Sequence, residues 1–203
     1  MSFKKLHPHL LETLERLSIE KPTAFQKSSI PVVKSGANVY CTAPKGSGKT
    51  TALILTTLQK LNCEAAGNAP RAVVIVENKE LALAMYDAFS EYTKYTDVRL
   101  YVGYKELHVD IQKSEIFEGI DILITTPTNL HKLFLLNGVS TSQLQIFSID
   151  NGEFLKQKSE YNAMLAISQS IIKCQYVLYA ENIPPMLRRF DDYFMERAKF
   201  VKE

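Results

Sequence analysis

The sequence predicts an α/β fold: a single domain with a parallel β-sheet flanked by helices. Three observations lead there. Short apolar, β-branched runs alternate with longer stretches whose apolar residues recur at helical spacing. Several short runs are apolar throughout, such as Val73-Val74-Ile75-Val76 and Ile122-Leu123-Ile124, as in strands covered on both faces. The first such run leads through a glycine-rich loop into a helical pattern, and strand and helix then keep alternating.

The elements follow in order. An amphipathic pattern over 10–17 predicts an opening helix. Pro22 suits a first helical turn, so a second helix is expected over 22–34. Strands are expected at 39–42, 72–76, 98–102, 120–125, 145–149, 176–179 and 199–201. Helices are expected at 50–61, 79–92, 129–137 and 161–172, with Arg188 and Arg189 solvated on a last helix. The 203 residues show no internal repeat, low-complexity tract or flexible linker, so a single domain is expected, with no room for a second.

Composition narrows the function classes. The chain is 46% hydrophobic and 23% charged, which excludes wholesale disorder and a fibrous repeat. Lys and Arg number 24 against 22 Asp and Glu, so the basic excess of a protein that neutralises many phosphates is missing. No apolar run approaches the ~20 residues of a membrane span. The start lacks a long apolar stretch behind its lysines and does not read as a secretory signal. A cytoplasmic protein without membrane attachment is expected. Cys41, Cys63 and Cys174 are odd in number and far apart, which suits buried reduced thiols. His7, His9, His108 and His131 are scattered and suggest no metal site. Tyr92, Tyr95, Tyr101 and Tyr104 read as half-buried aromatics rather than a base-stacking platform.

The most informative stretch is Ala43-Pro44-Lys45-Gly46-Ser47-Gly48-Lys49-Thr50. It has the form of a phosphate-binding P-loop. Its glycines let several backbone N–H groups converge on one anion, and the following helix adds the positive end of its dipole. Lys49 can reach the terminal phosphates, and the Thr50 hydroxyl can hold Mg²⁺. Pro44, Lys45, Gly46, Ser47, Gly48, Lys49, Thr50 and Thr51 are therefore candidate nucleotide contacts.

With that loop in place, the chain resembles the first RecA-like domain of DEAD-box RNA helicases over essentially its whole length. The opening Leu6-His7-Pro8-His9-Leu10-Leu11, then Glu20-Lys21-Pro22-Thr23-Ala24-Phe25-Gln26 and Ile30-Pro31, is similar to the family's adenine-recognising Q motif. The resemblance divides the chain into a Q-motif region, 1–36, and a RecA-like core, 37–203. It implies that Gln26 reads adenine, a task that suits an amide able to both donate and accept. Ile19 and Lys21 join it as candidate contacts. The family's upstream aromatic aligns with Met1, with Phe3 close by, and its Gly-aromatic pair is Ser18-Ile19 here.

Other motifs depart from the family. The Asp-Glu-Ala-Asp box corresponds to Asp150-Asn151-Gly152-Glu153. The resemblance gives Asp150 a Mg²⁺ role beside Thr50. Asn151 stands where the family has its general base, and losing such a base costs on the order of 10²–10⁴-fold in rate. Glu153 falls where the family ties this box to its Ser-Ala-Thr motif, which reads Ala180-Glu181-Asn182 here. A tight turn at Gly152 that redirected Glu153 would make it a substitute base, so Asp150 and Glu153 are the catalytic candidates. The RNA-facing motifs correspond to Glu77-Asn78-Lys79-Glu80-Leu81-Ala82, Gly103-Tyr104 and Thr126-Pro127-Thr128-Asn129, two of them without their arginine. Lys79, Gly103, Thr126 and Pro127 are the RNA-contact candidates, and weak RNA binding is the expectation. The leading reading is a pseudo-helicase that binds ATP or ADP with Mg²⁺, has lost efficient hydrolysis and acts through a protein partner. The alternatives are an ATPase half completed by a second domain in trans, and an interaction protein with a relic P-loop.

Overall fold

A computed structural model describes residues 3–203. Met1, which aligns with the family's aromatic position, lies outside the described residues.

The first helix, α1, spans Pro8–Arg16, with Pro8 in its first turn and the His7 ring accepting from the His9 N–H. The second, α2, spans Ala24–Lys34 and starts later than Pro22 suggests. Thr23 and Gln26 close a reciprocal capping box, and that pair of bonds sets the start more firmly than the proline ring. Strand β1 is Val39–Thr42, followed by α3, Lys49–Lys60. Next come β2, Ala72–Ile75, α4, Lys79–Thr93, and β3, Leu100–Gly103. Helix α5, Val109–Gly119, has no counterpart in the sequence expectation. Its interior buries only Gln112 and Ile116, while Ile111 and Phe117 face outward, so it carries no apolar stripe to detect. Then follow β4, Ile122–Thr125, α6, Pro127–Leu135, and β5, Ile146–Ile149. A 3₁₀ turn at Gly152–Lys156 leads to α7, Lys158–Gln169, β6, Gln175–Ala180, a short α8, Pro185–Arg188, and β7, Lys199–Lys202.

All seven strands lie in one sheet in the order β3-β4-β2-β5-β6-β1-β7, and every pairing is parallel. Alternate residues of each strand feed two cores. Val39, Cys41, Val74 and Ile124 pack under α1–α4. Tyr40, Val73, Ile75 and Leu123 pack under α6 and α7. This double coverage is why the central strands are apolar throughout. Several side-chain expectations are corrected: Tyr92 is buried rather than half-buried, and Cys174 only partly buried. Tyr95 is exposed rather than half-buried. Arg188 is not simply solvated: its guanidinium lies 4.1 Å from the centre of the Phe200 ring and pairs with Asp191. Phe200 in turn stacks on buried Tyr40, which fastens edge strand β7 to the region after β6.

The amino ends of the strands are held by one buried carboxylate. Asp121 accepts from the Arg71 and Arg99 guanidinium groups and from the Ala66 and Arg99 backbone N–H groups. Burial works against its charge, but these donors prevail and hold its carboxyl down at about 2. The register brings the opposite ends level: Thr42 pairs with Ala180, and Ile75 with both Ile149 and Thr125. Every motif after a strand therefore opens on the same carboxyl edge, where open α/β sheets bind ligands.

Candidate nucleotide and nucleic-acid site

The loop after β1 turns through two left-handed glycines, Gly46 at φ +82 and Gly48 at φ +88. Other residues pay a steric cost there, so glycine at these positions has a backbone reason. Gly48 starts α3 without a side-chain cap, leaving that end of the helix to an outside acceptor. The Lys49 ammonium is buried and donates to the Ala43 and Pro44 carbonyls at 2.6 and 2.9 Å. Pro44, Lys45 and Gly46 are exposed at the tip, and Thr50 and Thr51 are half-buried on the first turn.

Gln26 is joined to this loop directly. Its Nε2 donates to the Gly48 carbonyl at 3.2 Å, and its Oε1 accepts from the Thr23 N–H at 3.0 Å. One N–H and one lone pair of the amide remain for a ligand. Thr23 was not among the candidate contacts, yet its hydroxyl donates to the Ser47 carbonyl at 2.7 Å. The signal for it was available in the Thr-x-x-Gln spacing of a capping box. A cavity of about 520 Å³ opens beside Pro22 and Gln26, with Phe3 on its wall. Ile19 packs against the core and Lys21 is exposed, and neither lines this cavity.

Asp150 follows β5 and is buried, its backbone N–H donating to Ile75 O at 2.9 Å. Burial pushes its carboxyl up to about 6, against the pull of the Lys49 ammonium and hydrogen bonds from the Asn151 backbone and the Thr50 side chain. Its Oδ1 has no protein partner. An orphaned, buried carboxylate oxygen beside the Thr50 hydroxyl suits a hard cation that prefers oxygen ligands, as Mg²⁺ does.

The two residues after Asp150 diverge in direction. Asn151 is exposed in the left-handed region at φ 48, a conformation that asparagine tolerates better than most side chains. Glu153 is turned to the loop after β6, where its Oε1 accepts from the backbone N–H groups of Glu181 and Asn182.

The nucleic-acid candidates are only partly presented. The Lys79 ammonium sits 4.7 Å from the centre of the Tyr104 ring. Thr126 caps α6 through the Asn129 N–H, and Pro127 is buried in the first turn. Asn129, at the family's arginine position, points inward. Its amide donates to Gln112 Oε1 at 2.8 Å and Thr125 Oγ1 at 3.0 Å. A Cβ on Gly103 would lie 2.7 Å from that Gln112 oxygen, so the glycine accommodates the brace. Gln112 also donates to the Tyr104 and Leu107 carbonyls, fixing the loop after β3. Sequence reasoning missed Gln112 because nothing in the sequence marked its helix.

A glycine-rich loop between strand and helix, an amide locked to that loop and a carboxylate at the end of a neighbouring strand define a P-loop nucleotide-binding domain of the helicase type. The comparisons make this specific: the chain belongs to the DEAD/DEAH box helicase family, whose model matches residues 23–179. It is similar to the ATP-dependent RNA helicase DeaD of Buchnera aphidicola subsp. Schizaphis graminum, 28% identical over 203 residues, covering 99% of this chain and 33% of the relative. The Escherichia coli K12 DeaD helicase is 28% identical over 195 residues, covering 95% of this chain and 31% of the relative. Among solved structures, a DEAD box protein from the hyperthermophile Methanococcus jannaschii superposes with a TM-score of 0.91 at 18% identity, covering all of this chain and 56% of that one. An S. cerevisiae Dbp5 variant bound to RNA and ADP BeF3 superposes at 0.87 and 20% identity, covering 100% of this chain and 52% of that one. The chain thus spans about a third of these curated relatives and about half of the solved chains.

Proposed function

We propose that this chain binds ATP or ADP with Mg²⁺, hydrolyses ATP slowly or not at all, grips RNA weakly and acts through a protein partner. The observation that carries the reading is the division among three neighbouring residues. Asp150 keeps an unpartnered carboxylate oxygen beside the P-loop, Asn151 offers an amide, and Glu153 is spent on backbone N–H groups. Asp150 and Thr50 would hold the cation, whose chemistry is to neutralise phosphate charge. Lys49 would leave the Ala43 and Pro44 carbonyls for a phosphate, and Gln26 would offer its remaining donor and acceptor to adenine. A neutral amide at Asn151 takes no proton from water, so the binding elements outnumber the catalytic ones.

Calorimetric titration with Mg-ADP and Mg-ATP tests the binding half, with Lys49→Ala as control. Binding at micromolar concentrations that the variant loses supports it, and no heat from either nucleotide overturns it. Steady-state phosphate release, with and without RNA, tests the other half. Turnover matching a working helicase and abolished by Lys49→Ala overturns the loss of hydrolysis. A second reading, one lobe of an ATPase completed by another domain, draws support from the threefold greater length of the DeaD relatives. On that reading Glu153 or a partner residue supplies the base; loss of turnover in Glu153→Gln assigns it to Glu153, and survival of turnover excludes Glu153.

A further inference from the structure

The cavity beside Gln26 continues beyond any single nucleobase. Its floor is one face of α2, where Gln26, Ile30 and Lys34 recur every four residues. Eight residues of helix put Lys34 about 12 Å from Gln26. The facing wall is the 3₁₀ turn that begins the described chain, with Phe3 and Leu6.

Its chemistry is one-sided. The lining is mainly apolar, from Phe3, Leu6, Ile30 and Pro31, and it includes the cations Lys5, Lys27 and Lys34 but no carboxylate among the described residues. Lys34 lies across one end and donates to the Lys5 carbonyl. Burial and the nearby Lys5 charge both work against its own charge and lower its pKa. Like charges gathered at an apolar opening are a standing cost that an incoming anion relieves.

We propose that this groove docks an acidic, amphipathic segment of a partner protein. One or two apolar side chains of the segment pack against Phe3, Leu6, Ile30 and Pro31, and flanking carboxylates meet Lys5, Lys27 and Lys34. A phosphate-rich ligand fits less well. The capping box takes the Thr23 and Gln26 N–H groups at the start of α2, and the lysines that line the cavity are separate point charges rather than a converging nest of donors. Among the described residues one aromatic ring, Phe3, lines it, which is poor stacking surface for bases. Gln26 also bonds to Gly48, so a docked segment presses on the residue that reports to the P-loop. That coupling rests on the nucleotide reading above; docking itself does not.

The test is fluorescence anisotropy with a labelled peptide, Glu-Glu-Phe-Leu-Glu-Glu, in the absence of nucleotide. Binding is expected at moderate salt. Reversing two exposed charges turns two attractions into repulsions, so K27E/K34E should weaken the peptide about tenfold. K132E, on α6, should leave it unchanged. Replacing the peptide's Phe and Leu with Ser should weaken binding comparably. Equal affinity for the wild type and K27E/K34E overturns the proposal, and so does equal binding of the Ser peptide, which assigns the effect to surface charge alone. A single-stranded RNA oligonucleotide that displaces the peptide, binds more tightly and loses its binding in K27E/K34E reassigns the groove to nucleic acid. If K27E/K34E melts early, K27Q/K34Q gives a smaller loss in the same direction, and no loss there counts against docking.

Discussion

Gly46 and Gly48 have nearly the same left-handed φ, +82 and +88, but different surroundings. A Cβ on Gly46 meets nothing within 4 Å. A Cβ on Gly48 would lie 2.4 Å from Gln26 Nε2 and 3.0 Å from its Cδ. Gly46→Ala therefore carries only the left-handed cost, ~1–2 kcal/mol. Gly48→Ala carries the same cost and also pushes the Gln26 amide off two bonds, to Gly48 O and from Thr23 N–H, worth ~1 kcal/mol each. The expected losses are ~1–2 kcal/mol for the first variant and ~3–4 kcal/mol for the second. In a domain this size each 1 kcal/mol is roughly 2–4 °C in melting temperature. Thermal denaturation of both variants should show the second melting ~4–8 °C below the first. A double-mutant cycle adds the control: with Gln26→Ala in place, the excess cost at Gly48 should disappear. Equal destabilisation by the two alanines, or an undiminished cost in the Gln26→Ala background, would refute the claim that the amide is locked to the loop.

Asp150→Asn should stabilise the nucleotide-free protein near pH 7 by ~1–3 kcal/mol, because the carboxyl is held at about 6 against its ordinary 3.8. The sign follows from the raised value: the native state holds the proton better, so stability is lost as pH rises from about 4 to 6. Melting curves at pH 4 and 7 check it, with the advantage present only at the higher pH and Mg-ADP binding weakened in the same variant. Asp121→Asn should cost ~3–5 kcal/mol by urea denaturation, since it leaves the buried Arg71 guanidinium without its counter-charge. Its carboxyl at about 2, against 3.8, supplies ~2.5 kcal/mol that is complete above about pH 4 and is lost as pH falls towards 2, so wild type and variant should converge in acid. Glu153→Ala should release the Glu181 and Asn182 N–H groups, read as faster hydrogen exchange at those two amides with the rest of the sheet unchanged.

The sheet was legible because its strands are buried on both faces and read as apolar runs. Val73-Val74-Ile75 feeds both cores at once, and no loop or amphipathic strand imitates that pattern. The P-loop was legible for a local reason: two left-handed glycines and a lysine lie within four residues, between a strand and a helix. What escaped depends on tertiary partners. Helix α5 buries a glutamine where an amphipathic helix shows an apolar residue, because Gln112 faces amides and carbonyls from other elements. The inward turn of Asn129 follows from the same brace. Arg188 read as a solvated charge because its partner, Phe200, arrives from a strand twelve positions later.

The geometry around Gly152 bears on whether a carboxylate could still serve the water. A Cβ at that position would sit 2.9 Å from the side chain of Leu178, a buried β6 residue, so any larger residue there would force Leu178 to shift. The turn starts from a left-handed Asn151, where a glutamate would add strain that asparagine largely avoids. From there the chain delivers Glu153 to β6, where two backbone N–H groups hold it. Freeing Glu153 would pass those exposed donors to water, and placing Glu at 151 would strain the backbone at the first step. On the function proposed above, the left-handed Asn151 and the two N–H groups on Glu153 are the features that weigh against a base here, while the same segment keeps Asp150 buried beside Lys49 and Thr50.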